Sequence, residues 1–363
     1  MTYGNYPDLS MVEKILVVKM RHHGDVLLTS PVFSNLKRAA PHAAIDAFLY
    51  ADTLPMLEGH PDISDFLLYD RGWKKLSFLA KLSKELSLLK QIRKNRYDMV
   101  INLTEGDRGA LAAKISGARL RIGIDKRSCY THVAKNCPHP RHTVERQLDV
   151  LRHIGIFPDP QERDLYLHIP PLATQSIQQM LKKHEMQPGE YIVIHPVSRW
   201  RFKCLSTLQM ARLITTLHGM GKKIVLTAGP DAQERLMIDE ILSLAPNVPI
   251  LNLAGKISLK ELGAVIALSQ TLICVDSVPL HIASAVKTPV VVLFGPTSEK
   301  NWGPWMHPRS RVVTQNFSCR PCYQDGCGGG KMSDCLFTLP EKMILKALKE
   351  VESQECVLCN AGE

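Results

Sequence analysis

The sequence predicts an α/β protein of two Rossmann-like domains, each built on a parallel sheet, facing one another across a cleft. Three observations predict it. Short β-branched runs alternate with helix-patterned segments along the chain, the signature of repeated βαβ units. Runs such as V-V-L-F and L-I-C-V carry no polar alternation, as expected of strands covered by helices on both faces. The length, 363 residues, exceeds what one hydrophobic core usually organises, so two domains of about 150–200 residues are expected.

In the first half, strands are expected at 14–19, 45–50, 66–69, 99–103 and 120–124. Helical spacing of apolar residues places helices at 26–38, 75–94, 108–116 and 143–154, the last closed by Gly155 with Pro158 and Pro160 beyond it. Residues 157–172 are rich in Pro and Asp and read as the crossing between domains. The expected division is 1–165, 166–353 and a tail, 354–363. In the second half, strands are expected at 191–195, 223–227, 250–252, 271–275 and 290–294. Helices fit 206–218, 231–244, 259–268, 279–285 and 339–351. Ligands bind such sheets beyond the carboxyl ends of the strands, so the loops there are where chemistry is sought.

Composition narrows the class. Hydrophobic residues at 45% and charged residues at 22% are ordinary for a globular chain and exclude a disordered one. No apolar run reaches the ~18–20 residues that span a bilayer. The first ten residues lack the basic and apolar regions of a signal peptide, so a cytoplasmic location is expected. The net charge of +10 suits nucleic acid, an anionic membrane or a phosphorylated substrate. The densest basic stretch, 74–96, interleaves eight Lys and Arg residues with leucines at helical spacing. It fits a solvated surface helix or one whose polar face meets anionic headgroups. It lacks interleaved aromatics and any nucleic-acid motif, so no nucleic-acid partner is expected.

Four segments carry candidate chemistry. Lys19 to Pro31 follows the first strand, with Gly24 at the turn and Asp25 expected at or just before a helix N-terminus. A carboxylate there serves either as an N-cap or as a general base facing the cleft. His195 to Lys203 follows the first strand of the second half. Its Arg199, Arg201 and Lys203 put three cations within five residues, a charge fit for a diphosphate. Thr227 to Asp231 reads as a tight strand-to-helix turn capped by Asp231, with Glu234 behind it. The run C-V-D-S-V-P-L-H-I-A ends a buried strand at Asp276 and opens a helix near Pro279. Backbone N–H groups there can bind phosphate oxygens, Asp276 and Ser277 can hold ribose or diphosphate groups, and His281 lies one turn in. Gly295–Pro296–Thr297 closes the next strand in the same region.

The chain has no G-x-G-x-x-G, no Walker G-x-x-x-x-G-K-[ST] and no G-x-S-x-G, which argues against a dehydrogenase, an ATPase and a serine hydrolase. It has no D-x-D for a metal-bound sugar nucleotide, so the cations of the second segment are expected to neutralise a leaving diphosphate without a cofactor. Cys204 and Cys274 fall in apolar surroundings and read as core. Cys319, Cys322, Cys327 and Cys335 lie close in sequence and could hold a structural zinc, or be free or redox-labile thiols. Cys356 and Cys359, two residues apart in the tail, are either a further pair or without a role.

Taken in order, K-M-R with G-D-V-L-L-T-S-P, and then D-S-x-P-x-H-I-A with T-P-V-V-V-L-F-G-P-T, resemble glycosyltransferase family 9, the bacterial lipopolysaccharide heptosyltransferases. The resemblance runs from Val12 to Val351, and K-M-R-H-H-G-D and S-R-x-x-F-K-C are most similar to the members that add a branching heptose. It implies a GT-B fold, an ADP-heptose donor held by the second domain and an acceptor held by the first. The implied acceptor is the lipopolysaccharide inner core, branched on its second heptose at the cytoplasmic face of the inner membrane. By the same resemblance Asp25 corresponds to the catalytic base and Lys203 to the phosphate-contacting lysine. Asp276, Ser277 and His281 fall in the donor-binding run, and Ser198, with Arg199 beside it, at a diphosphate contact. Pro196, Val197, Trp200 and Val278 depart from the family's usual residues. A transferase using another nucleotide sugar, or a non-catalytic binding module on the same scaffold, are the competing readings.

Overall fold

In a computed structural model, the residues described are 6–125, 128–134 and 139–353; the tail 354–363, with Cys356 and Cys359, lies outside them. The chain divides into two compact units, Met1–His168 and Ile169–Glu363.

The first unit runs β1 (Lys14–Val18), α1 (His23–Leu27), α2 (Ser30–Ala39), β2 (Ala44–Tyr50), β3 (Asp65–Tyr69), α3 (Phe78–Lys94), β4 (Met99–Asn102), α4 (Asp107–Ser116), β5 (Leu120–Gly123), β6 (His132–Val133) and α5 (Thr143–Arg152). All its strand pairs are parallel, in the order β3-β2-β1-β4-β5-β6. Leu16, Val18, Phe48 and Val100 pack with Leu88 and Ile92 of α3 and Ala112 and Ala113 of α4 into one buried cluster.

The second unit runs α6 (Pro171–Lys183), β7 (Tyr191–His195), α7 (Thr207–Gly219), β8 (Lys223–Leu226), α8 (Ala232–Leu244), β9 (Ile250–Asn252), α9 (Leu259–Ala267), β10 (Thr271–Val275), α10 (Val278–Val286), β11 (Val290–Leu293), α11 (Glu299–Trp302), β12 (Ser310–Val313), α12 (Asp334–Phe337) and α13 (Glu341–Ser353). Its sheet is also parallel, β12-β11-β10-β7-β8-β9. Ile192, Ile194, Ile273, Val291 and Leu293 bury against Leu213, Ile214 and Leu217 of α7. Ser206 and Gln209 start α7 with a reciprocal capping box, and Ser258 and Glu261 do the same for α9.

Both sheets therefore have the doubly wound order, in which the chain reverses direction beside its first strand. The reversal falls between β1 and β4 in one unit and between β7 and β10 in the other. Loops leaving neighbouring strands at that point diverge to opposite faces and leave a crevice, which is what positions a ligand site.

The ten expected strands form, with ends shifted by a residue or so. Two further strands, β6 and β12, close the sheet edges; one is two residues long and the other polar at its start, so neither carries an apolar run to read. The helix expected over 26–38 is two helices, broken at Leu28–Thr29. Pro31 is the cause: it has no N–H to donate, its ring crowds the preceding turn, and it suits the first turn of α2. Thr29 tethers the break, donating from Oγ1 to the Asp25 carbonyl at 2.9 Å and to Gln147 Oε1 at 2.6 Å. Helix α6, which begins at the end of the Pro-rich crossing, was not expected; Pro171 stands at its first position, where a proline starts a helix rather than ending one.

Candidate active site

In the first unit the site begins where β1 ends. Lys19 is buried at 5% exposure and donates from Nζ to the Leu103 carbonyl at 3.2 Å, and the Met20 N–H donates to Thr104 Oγ1 at 2.8 Å. These two bonds fasten the loop after β1 to the loop after β4, its neighbour across the reversal. Burial pushes the Lys19 ammonium down to about 8; the Asp25 carboxylate acts to raise it, while Arg21 and Arg146 lower it further.

Asp25 is half-buried and sits at the N-terminus of α1 as expected, in its first turn, and Gly24 is a buried helical residue rather than part of a turn. The N-cap position belongs to His22. The Asp25 carboxylate therefore does not cap the helix, and among the described residues it accepts no hydrogen bond. A partly desolvated carboxylate with free lone pairs, drawn to a buried ammonium, is equipped to take a proton from a bound hydroxyl.

A cavity of about 340 Å³ opens at the same edge of the sheet, lined by Met20, Arg21, Tyr50, Thr104, Glu105 and Arg108 among others. The Arg108 guanidinium lies 3.9 Å over the Tyr69 ring and donates to the Tyr50 and Tyr69 hydroxyls at 3.3 and 3.1 Å. The Tyr50, Tyr69 and Arg108 group was not singled out from sequence: its members come from β2, β3 and α4, and no local pattern marks them.

Lys19 gives a pH prediction. Its ordinary value is 10.5 and its folded value about 8, so between these the unfolded chain holds a proton the folded chain has released. Unfolding free energy should gain a rising component with pH across that window. Lys19→Met should remove this component, so the variant's advantage over the parent is largest near pH 7 and shrinks toward pH 10. Denaturant unfolding at several pH values measures it; parallel curves for the two proteins would refute the burial of a strained ammonium.

In the second unit the loop leaving β7 and the loop leaving β10 meet at the reversal. Lys203, in a short turn at Arg201–Lys203, donates from Nζ to Asp276 Oδ2 at 2.6 Å. Thr297 Oγ1 donates to the same oxygen at 2.7 Å. Asp276 is 5% exposed, so one carboxylate oxygen gathers a cation and a hydroxyl from two other loops beneath the crevice. Gly295 lets the last of these loops pass: a Cβ there would lie 2.5 Å from Leu336 Cδ1. Arg320 donates to its carbonyl at 2.6 Å.

Ser277 is the N-cap of α10 with extended backbone, and its hydroxyl turns back to the Val275 carbonyl at 3.2 Å instead of capping the helix. The first N–H groups of α10 are thus left without a side-chain cap beside Asp276, the arrangement that receives phosphate oxygens. His281 is buried one turn into α10, as expected.

The three cations of the β7 loop reach different partners. The Arg199 guanidinium lies over the exposed Trp200 ring at 5.5 Å, and Arg201 donates to Met237 Sδ at 3.0 Å. Lys203 is the one that reaches Asp276. Ser198 is half-buried and accepts from the Trp200 N–H at 3.3 Å. His195, at the end of β7, is held neutral, pushed down by burial to about 4 with Nδ1 3.0 Å from Thr227 Oγ1, and adds no charge to the site. Asp231 caps α8, accepting from the N–H groups of Gln233 and Glu234 at 2.9 and 3.3 Å, and Glu234 accepts from the Gly229 N–H at 2.9 Å.

Cys204 and Cys274 are buried, with thiols pushed up by burial. Cys319, Cys322, Cys327 and Cys335 are free thiols, and among the described residues no three His, Cys, Asp or Glu side chains are grouped to hold a metal ion. Cys335 is buried beside Gly295, Cys322 is half-buried, and Cys319 and Cys327 are exposed. Cys335 is pushed up to about 11, first by burial and then by the neighbouring Cys327, Cys322 and Cys319, with Arg320 opposing.

Three comparisons bear on what this arrangement belongs to. Residues 85–332 match Glycosyltransferase family 9 (heptosyltransferase). A lipopolysaccharide heptosyltransferase 3 of Escherichia coli K12 is 40% identical over 314 residues, 83% of this chain and 88% of the relative. Among solved structures, a family 9 glycosyl transferase from Veillonella parvula superposes with a TM-score of 0.82 at 21% identity, covering 97% of this chain and all of that one. The E. coli heptosyltransferase WaaC with ADP-2-deoxy-2-fluoro heptose gives 0.68 at 19% identity, over 93% and 99% of the two chains. At those identities the solved structures speak for the fold, the GT-B-like pairing of two parallel six-stranded sheets. With a family match over two thirds of its length and a relative at 40% identity, the chain belongs to glycosyltransferase family 9, the heptosyltransferases.

Proposed function

We propose that this chain transfers L-glycero-D-manno-heptose from ADP-heptose to the inner core of lipopolysaccharide, as a branch on the second heptose, working peripherally at the cytoplasmic face of the inner membrane. The observation that carries the donor half is the Lys203–Asp276–Thr297 group beside the uncapped start of α10. The bound ADP-2-deoxy-2-fluoro heptose of WaaC and the name of the E. coli relative support the choice of sugar and acceptor.

The proposed reaction is a single displacement with inversion. Asp25 removes the proton from an acceptor hydroxyl. That oxygen attacks the anomeric carbon from the face opposite ADP, and the bond from that carbon to the diphosphate oxygen breaks. The departing diphosphate gains negative charge, which Lys203 and the N–H groups of α10 offset in a partly desolvated crevice. Ser198, Ser277 and His281 are assigned to holding the donor, and Arg199 to its exposed side. This chemistry needs no cofactor, and a nucleic-acid partner has no place in it.

The alternative, a different nucleotide sugar, is tested by thermal unfolding with ADP, UDP and GDP. ADP at about 100 times its dissociation constant should stabilise the protein by about 2.7 kcal/mol. Selective stabilisation by UDP or GDP would overturn the donor assignment.

A further inference from the structure

Helix α3 has more apolar surface than its unit can bury. Leu88 and Ile92 face the core. Phe78, Leu82 and Leu86, spaced at four residues along one face, are exposed, with Leu79 beside them; Phe78 and Leu79 are 77% and 76% exposed. A surface helix ordinarily turns polar residues outward, so a second apolar stripe on the outside marks a face that meets something other than water. Leu111 on α4 is exposed as well. Between α3 and α4 the apolar surface continues into a cavity of about 660 Å³, lined by Phe48, Leu88, Leu89, Ala110 and Leu111 among others.

The charges around this face are mostly positive, although Glu85 and Asp107 line the cavity. From Lys74 to Arg96 there are eight Lys and Arg residues and a single acid, Glu85. Glu85 accepts the Tyr69 hydroxyl at 2.8 Å, which ties it to its own unit. Lys74, Lys75, Lys90 and Lys94 are exposed, and so is Lys114 on α4. Apolar side chains rimmed by cations suit the boundary layer of a bilayer, where leucines enter among the acyl chains and lysines meet headgroup phosphates.

We propose that the α3–α4 face docks on the surface of an anionic lipid bilayer, with Phe78, Leu79, Leu82 and Leu86 entering the interfacial layer and the flanking lysines bound to lipid phosphates. This rests on, and gives a surface to, the peripheral location proposed above.

The test is sedimentation of the full chain with vesicles of phosphatidylcholine alone or mixed with phosphatidylglycerol. The parent should bind the mixed vesicles and be released by salt. Phe78→Ser/Leu79→Ser/Leu82→Ser should weaken partition by more than about tenfold, and each of Lys74→Gln and Lys75→Gln by about fivefold. Heptose transfer to a deacylated, water-soluble acceptor should be the same for parent and variants, which also shows that they fold. A parent that ignores anionic vesicles, or a triple variant that binds them as well as the parent, overturns the proposal. So does a lipid-free parent that is a dimer while the triple variant is a monomer, because a second copy then covers the stripe. If the parent fails on the soluble acceptor, the activity reading fails, and vesicle partition alone decides the docking.

Discussion

Replacing Asp25 with Asn is expected to lower turnover by about 10²–10⁴ while leaving ADP binding intact. The size follows from the role: a positioned base contributes this much by taking the proton as the acceptor oxygen attacks, and an amide of the same shape cannot take it. The placement follows from the structure. Asp25 is in the first turn of α1, the cap position is filled by His22, and the carboxylate accepts no hydrogen bond among the described residues. A capping aspartate would have its oxygens engaged by backbone N–H groups, and its loss would cost stability instead of rate. Asp25→Asn should therefore unfold close to the parent temperature and show the parent's shift with ADP. It should lose rate at saturating donor and acceptor. Near-normal turnover refutes the base; a collapse in stability with turnover in proportion returns Asp25 to a structural role.

What could be read in advance follows the physics of each residue. Strands such as β7, β10 and β11 are legible because helices cover both their faces, which demands unbroken apolar runs. Asp276 could be picked out as a polar residue at a strand end, and Asp25 and Lys203 by the family resemblance of their loops, but the pairing of Lys203 with Asp276 could not. It joins positions far apart in sequence and exists because β7 and β10 are neighbours at the sheet's reversal. By charge and spacing alone the three cations of the β7 loop looked equivalent, and only the resemblance favoured Lys203; the fold places Arg199 over Trp200, gives Arg201 to Met237 and brings Lys203 to Asp276. The burial of Lys19 was hidden for the opposite reason. Lysine is a surface residue by default, and only the adjoining loop after β4 supplies the carbonyl that lets it stay inside. On α3, leucines at helical spacing read as an amphipathic surface helix, but its outer face also carries exposed Phe78, Leu79, Leu82 and Leu86.

Replacing Lys203 with Met should lower turnover by about 10²–10³, the loss expected when a group that stabilises charge in the transition state is removed. The parent structure predicts a second consequence. Lys203 and Thr297 share one oxygen of a carboxylate that is almost wholly enclosed, and removing the ammonium leaves Asp276 with the hydroxyl alone on that oxygen. An enclosed charge that loses its partner destabilises the fold, here by up to about 3 kcal/mol because Lys203 keeps some contact with water. Slow turnover in Lys203→Met alone could then reflect a damaged fold. Adding Asp276→Asn separates the two effects, since a neutral amide no longer needs the cation. The double variant should recover most of the lost melting temperature and none of the lost rate, because no ammonium is left to follow the diphosphate as its charge grows. If rate returns together with stability, Lys203 serves to hold the loop and the neutralisation of the leaving group falls to α10 alone; if neither single nor double variant slows, the charge on Lys203 has no part in the reaction.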